Sequence, residues 1–290
     1  MGIKNFYKFI KLNCPEAIEY INKNELYNKK IGIDGNFWLY QIMGSMKSNN
    51  IKITNNNNLD ITHVYGLYLR ILSILKLGIK PLFVFDGKAP KIKNDTINKR
   101  IIEKSEAKKR IENDNFISEK EKKRLIQNSF FINKKEIEDC KLLLEKMNIP
   151  YIQSLEESDS QLAYLCKKNY IDYVISNDAD ILIFGAKNIM PFFKSSNNKF
   201  SVINKNKIIE KLDFKEDDII KLGIVLGNDY NSLNRNKINL RNIKYELNDV
   251  DNVKFKELID YYKNPLIKKY NCKYLEFDIN KNINIKKLLV

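Results

Sequence analysis

The stretch KKIGID, residues 29–34, reads as a short buried strand that stops at an acid. Two later stretches repeat the pattern: LFVF (82–85) runs into Asp86-Gly87, and DYVIS (172–176) runs into Asn177-Asp178-Ala179-Asp180. Short, continuously apolar runs bounded by turn residues are what strands covered on both faces look like. Helical patterns lie between them. One spans 37–47. A second starts at Ile61 and repeats at Val64, Leu67, Ile71, Leu72, Ile74 and Leu75, with Gly78 and then Pro81 as its stop. Others fall at 135–148 (Ile137, Cys140, Leu143, Leu144, Met147), 158–168 and 215–226. A short strand at 149–152 and an edge hairpin at 188–193 and 200–203 complete the pattern, while the Asn-rich 48–58 is a polar loop. Alternating strands and helices predict an α/β fold, a mostly parallel central sheet flanked by helices. No internal repeat is visible.

Residues 88–135 break the pattern. They hold fifteen Lys or Arg against seven Asp or Glu, and few apolar residues. One or two exposed helices that leave the domain are expected there. The last 60 residues are rich in Lys and Asn and at most helical. The division expected is therefore 1–87 and 136–230 as two parts of one core, 88–135 as an insertion, and 231–290 as a C-terminal helical part.

The 290 residues carry a net charge of +15, and 43% are hydrophobic, enough for a sizeable core. The charge favours a polyanionic partner. It is also what an AT-rich genome, over-using Lys, Asn and Ile, would encode. Cys14, Cys140, Cys166 and Cys272 form no CxxC pair, so zinc ribbons and dithiol redox motifs are not expected and a reducing compartment is. No apolar run approaches the roughly 20 residues of a membrane span, and no signal peptide is visible at the N-terminus. An intracellular protein is expected, nuclear or, if viral, in a cytoplasmic or replication compartment. His63, the one histidine, lies in a helical stretch and reads as packed or surface-exposed, which excludes Ser-His and Cys-His catalysis.

The acids carry the chemistry. In an open parallel sheet the carboxyl ends of the strands form the functional crevice, so Asp34, Asp86, Asp178 and Asp180 would converge there. Glu157 and Asp159, at a helix start, and Asp229, after an apolar helix, would be able to join them. Each has a plainer reading: Asp34 and Asp86 as turn residues before Gly35 and Gly87, Glu157 and Asp159 as complements to a helix dipole, Asp178 as an N-cap. Recurrence at three strand ends favours the functional one. Seven acids in one crevice cannot all stay ionised without cations. All-oxygen ligation suits Mg²⁺, with Mn²⁺ as a substitute. Two such ions, about 3.5–4 Å apart, suit phosphodiester hydrolysis.

Six segments, MGIKNFYKFI (1–10), IGIDGNFWLYQ (31–41), GIKPLFVFDGKAPKIK (78–93) with Lys99-Arg100, LEESDSQLAYL (155–165), ISNDADILIFG (175–185) and LGNDY (226–230), resemble in order and spacing the flap endonuclease/XPG family of structure-specific 5′ nucleases. The likeness runs over about residues 1–235 and is to a short, virus- or AT-rich-genome-type member. It implies a PIN-like/resolvase-like nuclease core and a two-metal site from Asp34, Asp86, Glu157, Asp159, Asp178, Asp180 and Asp229. Lys93 and Arg100 are implied to contact the scissile phosphate. Their seven-residue spacing is about two helical turns, which would put both on one helix face; a solvated basic face is the plainer reading. The resemblance also makes 88–135 a helical arch admitting a 5′ end, Tyr40 a base-stacking residue (or a buried helix tyrosine), and Gly2 a residue near DNA. Lys47 and Arg70 are further candidate DNA contacts.

One segment departs from the family. Where a glycine-rich helix-turn-helix, often with potassium, is usual, this chain has NSLNRNKINLRN (231–242), and no glycine follows Gly227. Asn can adopt the left-handed conformation, and Arg235, Lys237 and Arg241 are candidate duplex contacts instead. No QxxLxxFF-like peptide is found, so sliding-clamp binding is not expected. A monomer acting on branched or 5′-ended DNA is, with flap endonuclease and 5′–3′ exonuclease activity in replication, repair or recombination. The alternatives are a 5′–3′ exoribonuclease-like enzyme and a catalytically idle DNA-binding recombination factor.

Overall fold

The computed structural model describes residues 3, 5–114, 116–191, 198–227, 247, 250 and 255–270. Gly2, Asp229, Arg235, Lys237, Arg241 and Cys272 lie outside them. The first part of the chain gives helix α1 (Phe6–Asn13), strands β1 (Ile18–Asn22) and β2 (Lys30–Asp34), helices α2 (Gly35–Ser48) and α3 (Thr62–Leu75), and strand β3 (Lys80–Phe85). The basic segment supplies α4 (Asn94–Asn113) and α5 (Glu119–Asn128). Then come α6 (Lys134–Lys146), β4 (Tyr151–Gln153), α7 (Ser158–Lys167), β5 (Tyr173–Ile175), α8 (Asp180–Ile183), β6 (Asn188–Met190), β7 (Lys199–Asn204), α9 (Lys205–Leu212), α10 (Glu216–Leu226) and α11 (Lys256–Lys263).

The strands form one sheet in the order β1-β7-β6-β5-β2-β3-β4. The β6-β5-β2-β3-β4 block is parallel, while β7 runs antiparallel to both β6 and β1. The chain builds outward from β2 to β3 and β4, then returns to the other side of β2 to lay down β5. The switch point of the sheet therefore lies between β2 and β5.

Side-chain alternation sends β3 to two cores. Leu82 and Val84 join α1, α7, α8, α9 and α10 on one face; Phe83 and Phe85 join α2, α3 and α6 on the other. Gly32 lets α7 close on β2, since a Cβ there would sit 2.5 Å from Ile171 Cδ1 and 2.6 Å from Leu162 Cδ2.

Three features differ from the sequence expectation. The hairpin β6–β7 is not at an edge, because β1 covers β7. The strand β1 (IEYIN) is short and mixed in polarity, and α1 and α9, at eight residues each, are too short for an apolar repeat to run over several turns. The helices of the basic segment do not leave the domain: α5 lies against α2, with Gln127 Nε2 donating to Ser48 Oγ (3.2 Å) and Lys123 Nζ to Asn49 Oδ1 (3.1 Å). His63 is packed, with Nε2 3.2 Å from Asp139 Oδ2.

The Asn-rich composition has a structural use. Every non-glycine residue at positive φ among those described is Asn or Asp, and Asn50, Asn148 and Asn169 close helices α2, α6 and α7. Glycine commonly takes that left-handed position after a helix.

Candidate active site

Strand β2 ends at Asp34, which also caps the helix that follows: its Oδ1 accepts from the Phe37 N–H (2.9 Å). Strand β3 ends one residue before Asp86. Asp86 Oδ1 accepts from both the backbone N–H and the hydroxyl of Ser158, each at 2.8 Å. Those bonds tie the third strand to the start of α7, where Glu157 is the N-cap residue and Asp159 lies in the first turn. The approach depends on Gly87, because a Cβ there would lie 2.2 Å from the Ser154 carbonyl oxygen and 2.4 Å from that of Leu155. Beyond β5, Asp178 Oδ1 accepts from the Asp180 N–H (2.9 Å), and Asp180 opens α8. Helix α1 braces that loop, with Tyr7 OH donating to the Asn177 carbonyl at 3.1 Å.

Six of the seven predicted acids are thus drawn to the strand ends around the switch point. Their mutual influence is electrostatic as well as geometric. Burial, Asp86 and Asp178 hold the Asp34 carboxyl well above its usual range, against the Phe37 N–H. Burial, Asp178, Asp34 and Glu157 do the same to Asp159, while Lys93 acts in the opposite sense. Like charges in a dry site disfavour each other's ionisation.

Protein donors offset part of this repulsion. Lys93, at the 3-10 turn leading into α4, forms an ion pair with Glu157, and both side chains are largely buried. The lysine expected at a phosphate is therefore held inside the acid cluster. Arg100 is half-buried on α4. Tyr262, from α11, donates to Asp180 Oδ1 at 2.7 Å, and burial with Asp180 beside it pushes the phenol's pKa well up. Among the described residues no three His, Cys, Asp or Glu side chains stand as a ready-made metal cage. The donor set nevertheless fits hard divalent cations: it is all oxygen, and Asp159 Oδ1 is buried with no hydrogen-bond partner.

The remaining candidates lie elsewhere. The Tyr40 ring, half-buried on α2, is 5.6 Å from Phe130, with Lys104 Nζ 4.7 Å from its centroid. Lys47 Nζ lies 5.2 Å from the Phe130 ring. Arg70 stacks on the buried Trp38 (4.2 Å), donates to Gln41 Oε1 (2.7 Å), and is lowered by burial to a pKa of about 10. Its contacts are those of a residue holding α3 to α2. Sequence reasoning missed Ser158, Tyr7 and Tyr262. Ser158 was findable, as a small donor among acids at a helix start; the other two are joined to the site only by the fold.

The XPG N-terminal domain model matches residues 1–107 and the XPG I-region model residues 148–229. The chain is 32% identical to flap endonuclease 1 of Theileria annulata over 288 residues, covering 93% of this chain and 56% of that protein. It spans about six tenths or less of the length of such curated relatives, flap endonuclease 1 of Cryptosporidium parvum being covered to 62% at 31% identity over 93% of this chain. In fold it is similar to the catalytic core of Rad2 in complex with a DNA substrate, with TM-score 0.68 and 21% identity over 99% of this chain and 93% of that one. Two matched regions that carry all six described acids, together with these relatives, place the chain in the flap endonuclease/XPG family.

Proposed function

We propose that this protein is a metal-dependent, structure-specific 5′ nuclease that hydrolyses DNA phosphodiesters at flaps and 5′ ends, working as an intracellular monomer. The observation that carries the reading is the gathering of Asp34, Asp86, Glu157, Asp159, Asp178 and Asp180 around the β2/β5 switch point, with Lys93 among them. A pure binding protein has no use for a cluster of acids beside a polyanion. The flap endonuclease relatives and the DNA substrate bound to the Rad2 core support DNA as the partner.

Asp34, Asp86, Glu157, Asp159, Asp178 and Asp180, with Asp229, would hold divalent cations, Mg²⁺ or Mn²⁺, which supply Lewis acidity to the scissile phosphodiester. Asp34 and Asp86 keep their carboxylates fixed through the Phe37 N–H and Ser158. Lys93, which the fold holds beside Glu157, would offer its ammonium to the phosphate, and Arg100 would provide a second cation from α4. The basic helices α4 and α5 would guide the 5′ strand as an arch, with Tyr40, Lys47, Gly2, Arg235, Lys237 and Arg241 as further DNA contacts.

The testing experiment is a cleavage assay in Mg²⁺ that offers 5′-flap DNA, nicked duplex, a four-way junction and single-stranded RNA side by side. Preferred cutting of the flap supports the reading; cutting of RNA alone, or of nothing, overturns it. DNA binding should also weaken steeply with salt, since each neutralised phosphate releases counterions. A flat salt response would assign the +15 charge another purpose.

A further inference from the structure

Tyr262 stands on α11, outside both matched family regions, yet reaches into the acid cluster. It is 2% exposed. Its hydroxyl donates to Asp180 Oδ1 at 2.7 Å, and its ring packs on Phe184 with centroids 4.8 Å apart. Asp180 opens α8 and Phe184 is its C-cap, so this one side chain touches both ends of that helix. The chain then makes a second attachment. Gln161 Nε2 donates to the Lys268 carbonyl (2.9 Å), and the Lys268 N–H donates to Gln161 Oε1 (2.8 Å). Gln161 is fully buried on α7, two residues beyond Asp159. Segment 262–268 is therefore fastened to both helices whose first turns carry Asp159 and Asp180. An exposed ion pair, Lys263 to Asp217 on α10 at 2.7 Å, adds a third attachment.

A phenylalanine would fill the space of this ring equally well, so packing alone does not account for the hydroxyl. A tyrosine is an O–H donor at neutral pH, and a carboxylate that accepts one has fewer orientations open to it. Carboxylates that ligate metals are in turn hydrogen-bonded by a surrounding shell, whose loss weakens metal binding by about 10–100-fold. We propose that Tyr262 is a positioning residue for Asp180, its hydroxyl setting the carboxylate in the orientation that a divalent cation requires. The proposal rests on the metal-site reading above. It gives the C-terminal segment a role in the nuclease site itself.

The test is Mn²⁺ binding to the full chain, followed by the electron paramagnetic resonance of the free ion, for wild type, Tyr262→Phe, Asp180→Asn, the double variant and Lys263→Ala. Tyr262→Phe is expected to raise the Mn²⁺ Kd by about 10-fold or more, with the KM for flap DNA unchanged. Lys263→Ala loosens α11 without touching Asp180 and is expected to leave the Kd alone. In the Asp180→Asn background the effect of Tyr262→Phe should vanish, because the hydroxyl acts through that carboxylate. A wild-type Kd in a folded Tyr262→Phe protein overturns the proposal and leaves the metal site standing. So does an equal loss in both backgrounds, or a Lys263→Ala loss as large as that of Tyr262→Phe. No Mn²⁺ uptake by the wild type overturns the metal site and the proposal together.

Discussion

The strand ends and the basic segment are built on opposite terms. In the frame around the ends of β2, β3 and β5, Asp34, Glu157, Asp159 and Asp180 are buried beside the half-buried Asp178 and the exposed Asp86, and burial with these neighbours raises the pKa of Asp34 and Asp159. In α4 and α5 only Ala107 is buried, and the helices are held by polar contacts such as Arg110–Glu121 (3.2 Å) and Gln127–Ser48 (3.2 Å). The frame stores electrostatic repulsion in a place that cannot relax. The segment beside it spends almost no apolar burial and is free to respond to a charged ligand. A site of this kind places reactive groups rigidly and leaves substrate guidance to a marginally held element.

The largest break in that comparison comes from the frame. Asp178→Ala is expected to abolish cleavage in Mg²⁺ while leaving DNA affinity within a few-fold, measured by gel cleavage and fluorescence anisotropy. Retained turnover would remove Asp178 from the site. Next comes the junction of the two regions. Lys93→Met is expected to slow single-turnover cleavage by about 10²–10³-fold, the usual cost of deleting one charge-stabilising donor. In EDTA it should also lower stability by up to about 3 kcal/mol, because Glu157 loses its buried partner. Added Mg²⁺ should narrow that melting gap; a gap of unchanged width would mean that no cation takes over Lys93's charge.

A smaller effect has the opposite sign. The raised Asp34 pKa means that the folded state resists ionisation that the unfolded chain undergoes, so above the carboxylate range this group costs stability. Asp34→Asn keeps an oxygen for the Phe37 N–H and removes the charge. Its melting temperature in EDTA is expected to rise by a few degrees, at about 2–4 °C per kcal/mol for a domain of this size, with activity lost. A fall would mean that the acid cluster is not under repulsion. The smallest effect belongs to the basic segment. Gln127→Ala removes one half-exposed hydrogen bond and should cost about 1 kcal/mol or less. A loss several times larger would make α5 part of the rigid frame.

Much of this division was legible in the sequence. The strands at Ile31, Val84 and Val174 are unbroken apolar runs, and acids at their ends follow from what parallel sheets do with their carboxyl edges. Strand β1 was not legible, since Glu19 and Tyr20 interrupt it and its place is set by pairing with β7, some 180 residues later. The docking of α5 on α2 was hidden for the same reason: polar contacts such as Lys123–Asn49 leave no periodic mark. The six acids of the candidate site could be named from the sequence because their residue type is the chemistry proposed for them. Tyr7 and Tyr262 could not, because a tyrosine far away in the chain becomes part of the site only when the fold delivers its hydroxyl.

The most direct measurement of the central claim is the stoichiometry of Mn²⁺ bound to the DNA-free protein, counted by electron paramagnetic resonance of the free ion. A two-metal acid cluster predicts two Mn²⁺ per chain in the wild type, displaced by excess Mg²⁺, and loss of that binding in Asp178→Ala. Absence of specific Mn²⁺ binding in the wild type, or an unchanged stoichiometry and affinity in Asp178→Ala, would contradict it.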